Sequence, residues 1–316
     1  MQTVLVAGGA GFIGSHLCDR LLADGHKVVC VDNLLTGSRS NIDHLQGREN
    51  FTFINHNIIE PLPEVEHVDA VFHLASPASP NHHSKLSYHA LPMETMLVNT
   101  KGTMELLKFT ERNKAKFLFA STSEAYGDPE VHPQTEEYRG NVSTTGPRAV
   151  YDEAKRFGET ITSYYWREKD VDARIVRIFN TYGPRLSKED MRMVSIFIQQ
   201  ALKNEQITIF GDGQQTRSLC YIDDLIEGLV RLMFYPDTKG QIVNLGSTEE
   251  HTIHEYARII KDLTHSQSEM VNSEELPEDD PTKRRPDITK AKTLLDWEPK
   301  ITLKDGLEKM IESYKQ

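Results

Sequence analysis

The sequence predicts an α/β protein: a doubly wound parallel sheet (the Rossmann arrangement) followed by a smaller C-terminal α/β unit. Three observations carry this. Short β-branched runs alternate with longer helical patterns as far as Ile178, which reads as a parallel sheet covered on both faces. A glycine cluster, Gly8-Gly9-Ala10-Gly11-Phe12-Ile13-Gly14, joins the first strand-like run to the first helix-like run. After about residue 180 the pattern changes to helices separated by only short strand-like runs.

Strands are expected at Thr3–Ala7, Lys27–Val31, Phe51–Asn55, Ala70–Leu74, Lys116–Ala120 and Ala173–Ile178. Each is rich in Val, Ile, Phe or Leu and is bounded by polar or turn-forming residues. Helices are expected at Gly11–Asp24, Thr95–Asn113 and Val150–Lys169. In the first of these, Ile13, Leu17, Leu21 and Leu22 keep helical spacing. Beyond residue 180, Met193–Leu202, Asp223–Phe234 and Ile253–Leu263 read as helices, and Ile207–Phe210 and Gln241–Leu245 as short strands. Asp223 and Asp224 read as N-caps of the helix they precede. The proline-containing, acidic-then-basic stretch Ser273–Pro286 reads as a surface loop. The expected division is residues 1–180 for the nucleotide-binding part and 181–316 for the mainly substrate-binding part, with some chain interchange.

Bulk properties narrow the function. A chain of 316 residues with 38% hydrophobic content can bury a sizeable core. The net charge of −11 argues against a nucleic-acid or anionic-membrane surface as the main partner. No apolar run approaches the ~20 residues a membrane span needs. Met1–Ala7 runs into a strand with no basic, then apolar, leader pattern, so no secretory signal is expected. Cys18, Cys30 and Cys220 are scattered. They read as buried side chains in a reducing, cytoplasmic protein and form no metal-ligand spacing. His82 and His83 read as loop surface.

The glycine cluster has the context a phosphate-binding turn needs, between a strand and a helix. Gly8 permits the tight turn, Gly11 lets backbone approach a pyrophosphate, and Gly14 allows close helix–sheet packing. The helix N-terminus, with Phe12 and Ile13, then faces the phosphates. Asp32 ends the second strand, 18 residues after Gly14. A carboxylate there accepts from ribose hydroxyls and repels a 2′-phosphate, which favours NAD over NADP. Arg39 nearby keeps NADP as the lesser alternative.

A second pattern supplies a base. Tyr151 lies four residues before Lys155 in a helix-like segment, so the two share a face. A lysine ammonium there is expected to favour the phenolate and lower the tyrosine pKa. The polar run Ser121-Thr122-Ser123-Glu124 follows an apolar strand, at the carboxyl end where ligands of open parallel sheets bind.

Together these segments resemble the extended short-chain dehydrogenase/reductase superfamily, and within it the nucleotide-sugar epimerases, dehydratases and decarboxylases. The match runs nearly end to end. Its most specific parts resemble the UDP-glucuronate decarboxylases, which form UDP-xylose: Thr122-Ser123-Glu124, Gly146-Pro147-Arg148 leading into Tyr151-Asp152-Glu153-Ala154-Lys155-Arg156, and Lys283-Arg284-Arg285-Pro286-Asp287-Ile288. The resemblance implies NAD as cofactor and a UDP-sugar as substrate. Oxidation at C4 of the sugar would make a β-keto acid, CO2 would leave, and re-reduction would finish the cycle. It implies that Leu74, Ala75 and Asn99 border or support the cofactor, with Tyr151 and Lys155 also touching it. Asn57 and Ile58 stand where the family has Asp-Ile or Asp-Val near the adenine. Thr122 would hydrogen-bond the reacting hydroxyl, and Glu124 would be a second acid/base or would position water. Arg192 and Arg284 would hold the sugar carboxylate, Arg217 the diphosphate, and Asn180 and Arg185 would line the sugar cleft. A homodimer through a four-helix bundle of the 95–113 and 150–169 helices is also implied.

Two stretches depart from the decarboxylase pattern, Asn81–Glu94 and Val142–Arg148. Both should border the sugar, so a 4,6-dehydratase or a C4-epimerase acting on another UDP-sugar stays open as the alternative. Ser123 replaces the aspartate of the dehydratases, and a serine is a poor proton donor for an expelled hydroxyl. A catalytically silent scaffold on this fold would need a broken triad, yet Thr122, Tyr151 and Lys155 are all present.

Overall fold

A computed structural model describes residues 1–65, 67–276 and 280–315. The first half runs β1 (Thr3–Ala7), α1 (Phe12–Ala23), β2 (Lys27–Asp32), β3 (Phe51–Asn55), β4 (Ala70–His73), α2 (Pro92–Leu97), α3 (Thr103–Asn113), β5 (Lys116–Thr122), α4 (Ala149–Lys169) and β6 (Asp172–Ile178). The second half runs β7 (Thr181–Tyr182), α5 (Met193–Lys203), β8 (Ile207–Phe210), β9 (Thr216–Ser218), β10 (Cys220–Tyr221), α6 (Ile222–Phe234), β11 (Ile242–Leu245), β12 (Glu250–Thr252), α7 (Ile253–Thr264), β13 (Met270–Glu274), β14 (Lys283–Arg284), α8 (Thr289–Leu295) and α9 (Leu303–Lys315). A π-turn, Val98–Gly102, joins α2 to α3, so the expected Thr95–Asn113 helix is continuous but locally wide.

The main sheet has seven strands in the order β11-β6-β5-β4-β1-β2-β3, every neighbouring pair parallel. The strand order reverses between β1 and β4, the switch point where such sheets open a crevice for ligands. Alternation along the strands separates two cores. Leu5, Val29, Val71, Phe117 and Ile175 face α3 and α4. Val4, Val28, Phe72, Leu118 and Val176 face α1, α6 and the C-terminal helices. The three cysteines are free and buried, as expected. No helix among the described residues is long and apolar enough to cross a membrane.

β11, from the C-terminal half, pairs with β6 in the main sheet, from Ile242 opposite Ile175 to Leu245 opposite Ile178. Two expectations need correction. Asp223 and Asp224 lie in the first turn of α6 behind the cap residue Tyr221, and Asp224 instead accepts from the Ile301 amide at 2.9 Å. The stretch read as the loop Ser273–Pro286 begins inside β13 and contains β14, and Arg284 within it is only 2% exposed. Its residues 277–279 lie outside those described. α9 was not expected, although Leu303, Leu307, Met310, Ile311 and Tyr314 form a buried stripe at helical spacing.

Candidate active site

Two clefts open along the carboxyl ends of the main strands and meet at Ile13, Leu74, Ser76, Ala78 and Arg192. The first, about 760 Å³, is bordered by Gly8, Gly11, Phe12, Ile13, Gly14, Asp32, Asn57, Ile58, Leu74 and Ala75. The glycines are required by geometry. Gly8 has φ +83°, and a Cβ on it would lie 2.6 Å from the Ala75 nitrogen. A Cβ on Gly14 would lie 2.0 Å from the Gly8 carbonyl oxygen. Only bare backbone lets the β1 end and the α1 start approach this closely. The N-terminus of α1 thus opens into the cleft, where its unpaired amides and dipole favour a phosphate.

Asp32 borders the same cleft. Its Oδ2 accepts from the Ala10 amide at 3.0 Å and its Oδ1 from the Leu34 amide at 2.8 Å. Each oxygen keeps a lone pair for a ribose hydroxyl. Arg39, the residue that kept NADP open, lies over the Phe53 ring at 5.0 Å instead. The glycine turn, the helix N-terminus and Asp32 fit NAD. Asn57 Oδ1 caps its own turn by accepting from Ile59 N at 3.2 Å. Asn99 borders neither cleft. It is buried in the π-turn and donates to Ser76 Oγ and Thr95 O, both at 2.8 Å, which ties the helix to the cleft floor.

The second cleft, about 300 Å³, is bordered by Thr122, Ser123, Glu124, Tyr151, Lys155, Asn180, Arg192 and Arg217. β5 runs two residues further than the sequence suggested, to Thr122, and a 3-10 turn over Ser123–Tyr126 follows. Thr122 Oγ1 accepts from the Glu124 amide at 3.1 Å and starts that turn. α4 then brings Tyr151 and Lys155 over the end of β5.

The tyrosine–lysine pair behaves differently from the expectation. Lys155 Nζ donates to the Ala120 carbonyl at 2.7 Å and sits 5.8 Å from the Tyr151 ring centroid. Burial disfavours both charged forms. It pushes Lys155 down to about 7 and Tyr151 up to about 12. The Thr122 hydroxyl and the Arg192 charge pull the tyrosine back part of the way.

This has a stability consequence. Between about pH 7, the folded value, and the unfolded 10.5, the unfolded chain binds more protons at Lys155. Stability from this group therefore rises with pH across that window, and its full cost is present below it. A Lys155→Met variant is expected to be more stable than the parent near pH 6, with the advantage shrinking toward about pH 10. Urea midpoints at several pH values read this directly. A variant less stable at the acid end would contradict it.

Glu124 is gripped from two sides. Arg148 Nη2 reaches its Oε2 at 2.5 Å and Arg284 Nη1 its Oε1 at 2.8 Å. Although burial works the other way, the two guanidinium charges hold its carboxyl down at about 2. It is therefore a fixed carboxylate and not a proton store at neutral pH. Arg284 also donates to Ser123 Oγ at 3.0 Å and to Gly127 O at 2.9 Å, and it borders neither cleft. Asp152, beside this group, is pushed up to about 8 by burial and then by the Glu124 charge.

Arg185 lies in the wall of the first cleft, paired with Asp19 at 2.7 Å. Arg192, at the junction, donates to Ala78 O at 3.0 Å. Arg217 pairs with Asp280 at 2.9 Å, and Arg148 reaches the same carboxylate at 3.2 Å. Sequence reasoning missed three pocket residues: Arg148, Asp280 and Tyr88, whose ring stacks on Tyr151 at 4.9 Å. Arg148 had a signal, the Gly-Pro-Arg run, which served only as a marker of resemblance.

Fold and site together define a dinucleotide-dependent enzyme of the Thr-Tyr-Lys type, with a cation-lined pocket beside the cofactor cleft. Residues 4–246 match the NAD dependent epimerase/dehydratase family, and the chain belongs to that family. A curated relative, UDP-glucuronic acid decarboxylase 1 of Xenopus tropicalis, is 50% identical over 315 residues, covering 100% of this chain and 72% of that protein. Among solved structures, UDP-glucose 4-epimerase of Thermotoga maritima with UDP-glucose is 30% identical with a TM-score of 0.87, covering 99% of this chain and 98% of that one. UDP-glucuronic acid 4-epimerase of Bacillus cereus, in complex with UDP-glucuronic acid and NAD, is 30% identical with a TM-score of 0.83, covering 99% of each chain.

Proposed function

We propose that this chain is an NAD-dependent UDP-glucuronate decarboxylase that forms UDP-xylose. The observation that carries it is Glu124, held as a carboxylate between Arg148 and Arg284 one turn from Thr122 and facing Tyr151's pocket. A dehydratase needs an acid beside it to expel a hydroxyl; Ser123 stands where that acid would be, and Glu124, held at about 2, cannot stand in for it. Loss of CO2 from a β-keto acid needs no such acid. The decarboxylase relatives, matched over nearly the whole of this chain, support the same reading.

The chemistry NAD supplies is the reversible removal of two electrons at the sugar C4. Thr122 and Tyr151 hold the C4 hydroxyl, and Tyr151, as the phenolate left when its own proton has gone to solvent, takes the hydroxyl proton. With C4 a carbonyl, the electrons of the bond to the carboxyl carbon pass into it, CO2 leaves, and an enolate remains. Glu124 positions the water that delivers a proton to C5, the hydroxide left behind taking a proton from solvent, and as C4 is re-reduced Tyr151 returns its proton to O4. Arg192 and Arg148 face the pocket as cations for the hexuronate carboxylate, and guanidinium matches that geometry. Arg284 acts through Glu124 and Ser123 as a positioning residue. Arg217 serves the diphosphate, for which Asp280 is the internal substitute. Gly8, Gly11, Gly14 and Asp32 hold the cofactor, with Asn99 in support.

Incubation with UDP-glucuronate and NAD, followed by NMR of the sugar, tests the function. UDP-xylose and CO2 are expected. An epimer that keeps its carboxylate, or a 4-keto-6-deoxy product from another UDP-sugar, would replace this reading.

The reading extends to a homodimer and a cytosolic location. Phe157 and Tyr164, seven residues apart on α4, are 43% and 45% exposed, an apolar strip suited to a partner helix. Light scattering is expected to give twice the chain mass, and Phe157→Asp with Tyr164→Asp to give monomers. A monomeric parent protein would refute the dimer. Three buried free cysteines suit a reducing compartment.

A further inference from the structure

The histidines read as loop surface have a partner that no sequence spacing shows. His83 Nε2 lies 3.2 Å from both Glu274 carboxylate oxygens, and His82 Nε2 lies 3.7 Å from Oε2. The donor atoms of the three residues fall within 4.8 Å of one another. Ligands at tetrahedral zinc, bonded near 2.05 Å, stand about 3.3 Å apart, so a small side-chain rotation closes the set. We propose that His82, His83 and Glu274 form a divalent transition-metal site that fastens the 81–91 loop to the end of β13 at the rim of the second cleft.

Both supports are built to hold the donors in place. Asn81 accepts from the His83 amide at 2.9 Å and donates to Met191 O at 2.8 Å. Ser84 donates to Glu189 O at 2.6 Å. The histidines therefore project from a loop anchored on either side. On the other side, the β13–β8 register shifts between Asn272 and Glu274, and such a bulge re-aims the side chain that follows it. The Gly211 amide then fixes Glu274 by donating to its carbonyl at 2.7 Å. Two imidazoles and one carboxylate suit Zn²⁺, Co²⁺ or Ni²⁺ and not the oxygen-seeking Mg²⁺ or Ca²⁺. With three protein ligands, water completes the shell. The clasp would join the loop that carries Tyr88 to the strand that leads to Leu276, and both residues border the pocket.

The test uses the full chain, stripped with chelator and titrated with Zn²⁺ alone by calorimetry. One Zn²⁺ per chain is expected, with no comparable binding of Mg²⁺. His82→Gln, His83→Gln and Glu274→Gln should each weaken it by more than the roughly 10–100-fold that loss of a supporting hydrogen bond costs a metal site. Co²⁺ in place of Zn²⁺ should give visible bands of tetrahedral intensity that all three variants lose. All three positions are exposed, so the variants should keep the parent's circular dichroism. No Zn²⁺ binding, or binding and bands unchanged in the three variants, would overturn the site.

Discussion

Replacing Tyr151 by Phe is expected to lower kcat by about 10²–10⁴-fold, the usual worth of a general acid–base, with KM for UDP-glucuronate nearly unchanged. The change removes one hydroxyl from a buried ring and leaves the stack on Tyr88 intact. Folding should therefore be close to normal, and NAD binding should persist because the glycine turn and Asp32 lie in the other cleft. Full turnover by this variant would remove Tyr151 as the base. Because Tyr151 stands at about 12 and the Thr122 hydroxyl works to lower it, Thr122→Ala should also lower kcat, since it deletes the hydroxyl that pulls the phenol down.

The second large effect is expected at Glu124. Glu124→Ala leaves Arg284 without its carboxylate and Arg148 with Asp280 alone. Stripping one partner from a buried charge group costs about 3–5 kcal/mol, and turnover should fall with it. Glu124→Gln keeps the shape and separates charge from packing. The sign with pH is fixed by the depressed carboxyl. Its folded value is about 2 against an ordinary 4.5, so its stabilisation is complete above 4.5 and is lost as pH falls toward 2. The gap between parent and Glu124→Gln, read from urea midpoints, should be widest near neutral pH and should narrow with acid. A gap that widened in acid would contradict the ion-pair account.

Much of this was readable from residue order. The six strands of the first half and the helices between them follow from local periodicity, and their boundaries shift by only one or two residues, except at the α2 start. Gly8, Gly14 and Asp32 were readable because strand, turn and helix are contiguous in sequence. Arg284 was not, because a charge run looks solvated until β14 is seen pairing with β9. Nor was the fate of Lys155, since its carbonyl partner Ala120 is 35 residues away on β5.

The sequence by itself determined the doubly wound sheet, the glycine turn and the i, i+4 pairing of Tyr151 with Lys155, because backbone periodicity and short motifs are local properties. Only the tertiary structure decided the charges. Burial pushed Lys155 down to about 7 and Tyr151 up to about 12. Two arginines, distant in sequence, fixed Glu124 as a carboxylate, and a β-bulge brought Glu274 to His82 and His83. Desolvation and long-range ion pairing depend on what surrounds a group in space, and that surrounding is not written in the residues beside it.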